Sequence, residues 1–146
     1  AGLGLLDAET VFLGEKTRTQ VSGTFTGAAG LFSGLNGAAF EGYEIHMGST
    51  TGSGAPLAAF TTQRGERHTD GFAQGNVWGC YVHGIFDTGE TASALVEALL
   101  REKGLEGSAA AVDWQEYAQQ QYDKLADGVR GALDMNAIYR ILERGV

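Results

Sequence analysis

The sequence contains little cysteine, few basic residues and no long apolar run. Cys80 is the one cysteine among 146 residues. No disulfide therefore forms within the chain, which suits the reducing cytoplasm, and we expect a cytoplasmic location. Lysine and arginine number 10 against 18 aspartates and glutamates, for a formal net charge of −8. This balance argues against nucleic acid as a partner, since phosphates attract clustered basic side chains. No apolar run approaches the roughly 20 residues of a membrane span, so we expect no membrane partner.

Glycine, by contrast, is abundant: the chain has 23, most of them in its first half. Many glycines favour tight turns between short strands. Up to about residue 86, apolar and alternating segments predict four strands, at 16–23, 40–47, 57–62 and 77–83. Two polar segments predict exposed loops between the strands, at 49–54 and 63–68.

The later part of the sequence has helical periodicity. Asp87 and Glu90 have the spacing of a capping box, and Gly104 is a natural stop for this first helix. Asp113 and Asp134 give similar start signals for a second and a third helix. The order of elements predicts an α/β fold in which mixed strands are followed by helices.

The chain has one compositional break, at 106–111, which predicts a linker between the sheet and the terminal helix pair. It begins with Ala1 and not with methionine. We therefore expect a chain that is either processed or a piece of a longer protein.

Cys80 lies three residues before His83, a spacing that suggests a nucleophile and its base. Such a pair must come within about 3 Å. If 77–83 is one extended strand, Cys80 and Val82 share one face, while Tyr81 and His83 share the other. The two side chains are then not a catalytic pair, and we expect Cys80 to be a small buried strand residue.

His83 has a better case for function, because it ends a predicted strand immediately before Gly84. Side chains at such positions emerge at the rim of a sheet, where ligands of α/β proteins bind. The alternative is a hydrogen-bonded structural histidine near a turn. Asp87 could orient His83, although the capping role also explains it.

Glu44 and His46 form a second constellation, two residues apart on one face of a predicted strand that carries Tyr43, Ile45 and Met47 on its other face. They are either a polar pair facing a substrate or the solvated face of an exposed strand.

Zinc is a weaker interpretation, because the three histidines lack metal-ligand spacing. They are His46, His68 and His83. His68 falls in a charged segment, and we expect it to be exposed.

The segments GYEIHMG and YVHGIFD, followed by LADGVRGALDMNAIYRILE, resemble in this order the C-terminal part of the cobyric acid synthase family, glutamine amidotransferases of the cobalamin pathway. The resemblance runs essentially over 2–143. It implies the C-terminal portion of a flavodoxin-like class I glutamine amidotransferase domain over 1–105, and a helical extension packing on it over 106–146.

The resemblance implies a carbon–nitrogen ligase with two parts. An N-terminal domain, which needs ATP and Mg²⁺, activates side-chain carboxylates of a corrinoid. The C-terminal domain hydrolyses glutamine and delivers ammonia to them. In this family a cysteine on a strand-to-helix elbow attacks the glutamine amide, and the histidine of a Y-x-H-G segment is its base. That histidine corresponds to His83.

The chain departs from this pattern, because the cysteine elbow and the ATP-using domain are absent from it. Many amidotransferases have a glutamate two residues after the histidine, but this chain has Ile85 there. Glu44 or His46 could instead orient the catalytic pair or hold glutamine. The resemblance implies a fragment that is inactive alone and binds no cofactor or metal itself. We expect it to be held by partner chains in a homo-oligomer, or extended by further sequence that includes the N-terminal domain.

Two other functions remain open at this point. The chain could be a non-catalytic, amidotransferase-like binding subunit that pairs with a separate chain. It could also belong to a related amidotransferase of another pathway, such as cell-wall amidation or the diamide step of cobalamin synthesis.

Overall fold

A computed structural model describes residues 2–107 and 112–145. The chain divides into two compact units, Ala1–Asp113 and Trp114–Val146. The first unit contains six strands, a short 3-10 helix and one α-helix: β1 (Ala8–Phe25), the 3-10 helix (Gly30–Leu35), β2 (Ala39–Gly52), β3 (Pro56–Thr62), β4 (Arg67–Gln74), β5 (Val77–Gly79), β6 (Val82–His83) and α1 (Gly89–Glu102). The second unit contains α2 (Trp114–Ala132) and α3 (Met135–Arg144).

The strands form one sheet in the order β5-β4-β3-β1-β2-β6, and each neighbouring pair is antiparallel. The edge strands β5 and β6 are consecutive in the chain and are separated only by Cys80 and Tyr81. So short a connection requires the sheet to curl until its two edges approach each other. The curl gives the sheet an inner face, which carries Phe40, Glu44 and Val82, and an outer face, which carries Tyr43 and His83.

Aromatic and aliphatic side chains of the inner face form the core of the first unit. Phe25 of β1 packs edge-to-face on Phe40 of β2, with ring centroids 5.5 Å apart, and on Trp78 of β5, at 6.1 Å. The other large apolar residues that are fully buried are Leu35 and Leu57. At the start of α1, the hydroxyls of Thr88 and Thr91 each donate to the Ala39 carbonyl, at 3.0 Å, and so join this helix to β2.

The expectation of an α/β fold with strands followed by helices is confirmed. Two of the predicted helix ends are also confirmed. Gly104, at φ +63°, follows the end of α1, and its N–H donates to the Arg101 carbonyl. Asp134 caps α3, because its carboxylate accepts a hydrogen bond from the N–H of Ala137 at 2.9 Å.

The predicted capping role of Asp87 is wrong. Thr88 occupies the N-cap position of α1. The carboxylate of Asp113, 24 residues further along, accepts a hydrogen bond from the Gly89 N–H at 3.2 Å. A residue distant in sequence therefore accepts the hydrogen bond of the first N–H group of α1.

Two loop predictions and one strand prediction also need correction. The segments 49–54 and 63–68 are not entirely loops, since β2 continues to Gly52 and β4 begins at Arg67. The polar residues of β2 extend the strand because they pair with the first part of β1, and the hydroxyls of Thr10 and Thr50 are 2.8 Å apart. The segment 77–83 is two strands and not one, because its ends pair with different neighbours.

Part of the predicted linker 106–111 lies outside the described residues. The packing of the terminal helices on the sheet stays a prediction. No helix in the described ranges is long and apolar enough to cross a membrane.

Replacing Gly42 by alanine is expected to weaken the pairing of β2 with β6. An added Cβ would lie against the His83 carbonyl oxygen and 2.9 Å from Cγ1 of Val82. Neither group can withdraw without opening the strand pair. We therefore expect the free energy of unfolding, measured by urea denaturation, to fall by about 1–3 kcal/mol.

Gly14→Ala is the matched control, because an added Cβ at Gly14 meets no atom within 4 Å. Its urea midpoint should change much less than that of Gly42→Ala. Equal losses in the two variants would show that the contact between β2 and β6 is not tight.

Candidate functional site

His83 is the last residue of β6 and lies directly opposite Tyr43 of β2. The predicted position at a strand end is therefore confirmed. Its imidazole is exposed and stacks on the Tyr43 ring, with centroids 5.0 Å apart and planes 7° from parallel. Within the described residues, neither nitrogen of this ring makes a hydrogen bond. His83 thus presents an imidazole to the outer face.

Gly84 lets the chain turn away directly after His83. Its φ of +78° lies in the left-handed region, where a side chain would be strained. The N–H of Asp87 closes this turn by donating to the Gly84 carbonyl at 2.9 Å. In the part of the chain that is described, no hydrogen bond joins Asp87 to His83, so Asp87 shapes the turn and does not orient the imidazole.

Glu44 and His46 lie on the inner face, on the other side of β2 from His83. The interpretation as a solvated strand face is wrong for this pair, since Glu44 is only 8% exposed. His46 Nε2 is 3.6 Å from Glu44 Oε1, and His46 Nδ1 is 2.8 Å from the Gly48 carbonyl oxygen. Because a carbonyl can only accept, Nδ1 carries the proton of this hydrogen bond. Both nitrogens of His46 are therefore engaged.

Tyr81 covers one face of the His46 ring. The two rings stack with centroids 4.0 Å apart and planes 11° from parallel. The Tyr81 hydroxyl is 2.5 Å from Thr50 Oγ1, and the Tyr81 N–H donates to Asp70 at 2.5 Å. The expectation that Tyr81 shares a face with His83 is wrong, because the chain leaves one strand and enters another at this point.

The buried position of Glu44 raises the pKa of its carboxyl above the ordinary value. Loss of solvation is the largest cause, and the negative charge of Asp70 acts in the same direction. The neighbouring His46 opposes both effects. Glu44 therefore holds its proton to a higher pH than an exposed glutamate does.

Cys80 lies on the inner side, where burial raises the pKa of its thiol to about 11. At neutral pH the group is a thiol and not the thiolate that a nucleophile requires. Its Sγ is 3.9 Å from the Val82 carbonyl oxygen, and its side chain packs against the core. The expectation of a buried strand residue is wrong in part, because Cys80 is half-buried and lies between β5 and β6. Its position on the inner side, away from the outer face that carries His83, is consistent with the view that the two are not a catalytic pair.

A cavity of about 1150 Å³ is lined by residues of β1 to β4 together with Cys80 and Tyr81. Ionisable side chains line its wall, among them Glu44, His46, Asp70 and Cys80. His68 also lines it; this residue belongs to β4 and not to a loop, and its side chain is 52% exposed, as expected. Among the described residues, no group of three histidine, cysteine, aspartate or glutamate side chains could hold a metal ion.

Sequence reasoning missed the contacts of Tyr43, Asp70 and Tyr81. Tyr43 was assigned to the correct side of its strand, but its stacking on His83 depends on the register of β2 with β6. Asp70 lies in β4, a strand that is not among the predicted ones because its residues show no clear alternation. Only the non-local pairing reveals these contacts.

Replacing Glu44 by glutamine is expected to stabilise the fold increasingly as pH rises above 4.5, the ordinary pKa of the carboxyl. A raised pKa means that the folded state binds the proton more tightly than the unfolded state. The stability that Glu44 contributes is therefore present below pH 4.5 and is lost as pH rises through the folded-state pKa. Urea midpoints of variant and wild type, compared from pH 4.5 to about 8, measure this difference.

Glu66→Gln is the matched control, because that carboxylate also borders the cavity but its side chain is 59% exposed. Solvent screens its charge, so this substitution should change the urea midpoint much less than Glu44→Gln does. A Glu44→Gln difference that shrinks with rising pH would contradict the raised pKa.

The family described as the CobB/CobQ-like glutamine amidotransferase domain matches residues 1–91. Cobyric acid synthase of Ruminiclostridium cellulolyticum is 46% identical over 151 aligned residues, covering 99% of this chain but 29% of the relative. Cobyric acid synthase of Thermoanaerobacter is 40% identical, covering 98% of this chain and 30% of the relative. The cobyric acid synthase of Citrobacter koseri is 41% identical, covering 98% of this chain and 29% of the relative.

The chain thus spans less than a third of the length of these curated relatives and corresponds to their C-terminal part. The resemblance carried by GYEIHMG and YVHGIFD is confirmed, since both segments lie within the matched residues. The chain belongs to the family of CobB/CobQ-like glutamine amidotransferase domains.

Proposed function

We propose that this chain carries the general base of the glutaminase site in a cobyric acid synthase. That enzyme would use ATP and glutamine to amidate side-chain carboxylates of a corrinoid in cobalamin biosynthesis. The observation that carries the proposal is the state of His83, an exposed imidazole at a strand end whose nitrogens have no hydrogen-bond partner within the described residues. Family membership and the names of the relatives support the assignment.

In the proposed reaction, His83 accepts the proton of a cysteine thiol as the sulfur attacks the carboxamide carbon of glutamine. A carbon–sulfur bond forms, the carbon–nitrogen bond breaks, and the imidazolium returns the proton to the departing ammonia. Water then hydrolyses the thioester to glutamate and regenerates the thiol. The ammonia replaces an activated oxygen on the corrinoid carboxylate.

The nucleophile of this reaction has to come from residues outside the chain. Cys80 is unsuitable, because it lies on the inner side and burial raises its pKa to about 11. The outer face beside His83 carries Tyr43, Ile45 and Met47, which are 46%, 37% and 45% exposed. An apolar surface of this kind favours cover by further polypeptide, and more than two thirds of each relative lies outside the matched region.

Glu44 and His46 would lie behind this site, on the opposite face of β2, and would not contact glutamine. The contact of Glu44 Oε1 with His46 Nε2 and the stacking of Tyr81 on His46 hold the inner side of β2. Tyr43 and His83 occupy the outer side of the same strand pair. Glu44 and His46 therefore stabilise the strand whose outer face carries the proposed site. ATP and Mg²⁺ would bind the N-terminal part of the enzyme.

A hybrid enzyme tests the proposal: the part of the Ruminiclostridium cellulolyticum synthase that precedes the matched region is joined to this chain. We expect the hybrid to hydrolyse glutamine, and the chain alone to show no activity. His83→Ala in the hybrid should lower kcat by about 100-fold or more, the usual contribution of a general base. Glutamate release measures the rate.

His68→Ala and Cys80→Ser are the controls, and both should retain glutaminase activity. Hydrolysis by the chain alone, or loss of activity with Cys80→Ser but not with His83→Ala, would contradict the assignment of the base. Calorimetry on the hybrid separates the rival function, because glutamine binding without turnover would indicate a non-catalytic binding subunit.

A further inference from the structure

We propose that Tyr43 is the positioning residue of His83, and that its ring sets the plane of the imidazole on the outer face. This inference rests on the proposed function of His83 as a base. Tyr43 itself does not touch glutamine or exchange a proton in this assignment. Its part is to hold the base in one orientation before the thiol arrives.

The strand register brings the two rings together. Tyr43 and His83 are direct partners in the antiparallel pair of β2 and β6, and side chains at such positions project from the same face. Their centroids are 5.0 Å apart, within the range of stacked aromatic pairs. The angle of 7° between the planes makes this a parallel stack, and the separation of 5.0 Å means that the two rings are offset. The Tyr43 ring therefore restricts the tilt of the imidazole.

His83 has few other restraints, which makes the contact with Tyr43 decisive. It ends a strand of two residues and is followed by Gly84 in a left-handed conformation. Within the described ranges its ring nitrogens make no hydrogen bond, either to Asp87 or to another residue. Ile85, at the position where many amidotransferases have a glutamate, is 6% exposed and belongs to the core.

Stacking also differs from a carboxylate partner in what it leaves free. A carboxylate orients a histidine by accepting a hydrogen bond from one nitrogen, as in the Ser-His-Asp arrangement. The Tyr43 ring instead lies along one face of the imidazole, and neither ring nitrogen makes a hydrogen bond within the described residues. Either nitrogen can then accept the thiol proton, while the plane of the ring stays constant.

Nuclear magnetic resonance of the chain itself tests the restraint without any need for catalysis. The ring current of Tyr43 should shift the two carbon-bound ring protons of His83. We expect Tyr43→Ala to abolish this shift and Tyr43→Phe to preserve it. Ile45→Ala is the matched control, since Ile45 is on the same outer face of β2, two residues away. An unchanged His83 spectrum in Tyr43→Ala would overturn the inference.

Kinetics of the hybrid enzyme test the consequence. A misdirected base lowers the rate of the chemical step more than substrate binding, so Tyr43→Ala should reduce kcat by on the order of tenfold with a smaller change in KM. Tyr43→Phe should restore kcat, because the stacking surface is kept. A purely structural role would instead show as a lower urea midpoint with kcat unchanged, and this result would also overturn the inference.

The two proposals fail in different ways. If His83→Ala retains glutaminase activity, the assignment of the base fails, whatever the spectra show. If His83→Ala is inactive but Tyr43→Ala has wild-type kcat, the base stands and the positioning role is wrong. If Tyr43→Phe is as impaired as Tyr43→Ala, the hydroxyl matters and the stacking account is wrong.

Discussion

Closure of the sheet by Cys80 and Tyr81 is the constraint on which the rest of the first unit depends. These residues link β5 to β6, the strands at opposite edges, so the sheet has to curl. Tyr81 holds the closure from both sides, since its N–H bonds to Asp70 of β4 and its hydroxyl to Thr50 of β2. The same connection separates the inner face, which carries the core, from the outer face, which carries Tyr43 and His83.

The curl also explains how an ionisable group comes to be buried next to the core. Glu44 follows the alternation of β2 onto the inner face, where loss of solvation raises its pKa. A buried carboxyl is costly unless a partner accompanies it. His46 is that partner, and the Gly48 carbonyl and the Tyr81 ring keep its imidazole in place. His46 thus offsets part of the free-energy cost of burying the Glu44 carboxylate. The cost is not fully offset, because the pKa of Glu44 is still raised.

The features that could be predicted from the sequence are those that neighbouring residues determine. The alternation in β2 assigned Glu44 and Tyr43 to opposite sides, and the end of α1 at Gly104 followed from the conformational freedom of glycine. The sequence did not show which side of β2 is covered, because apolar side chains such as Tyr43 normally mark the buried side, whereas here the carboxyl is inside. The division of 77–83 into two strands was also missed, since only pairing with β4 and β2 determines it.

The separation of thiol and imidazole on two sides of one sheet has a consequence for the proposed enzyme. In that proposal, His83 on the outer face would be inert as a base until another layer of polypeptide brought a sulfur to it. The exposed apolar groups around His83, chiefly Ile45 and Met47, would favour such cover, because their burial stabilises the contact. The same cover would exclude water from the imidazole and strengthen its interactions with the reacting groups. Assembly and catalysis would then depend on one surface, and a poorer fit of the covering layer would slow glutamine hydrolysis with His83 itself unchanged.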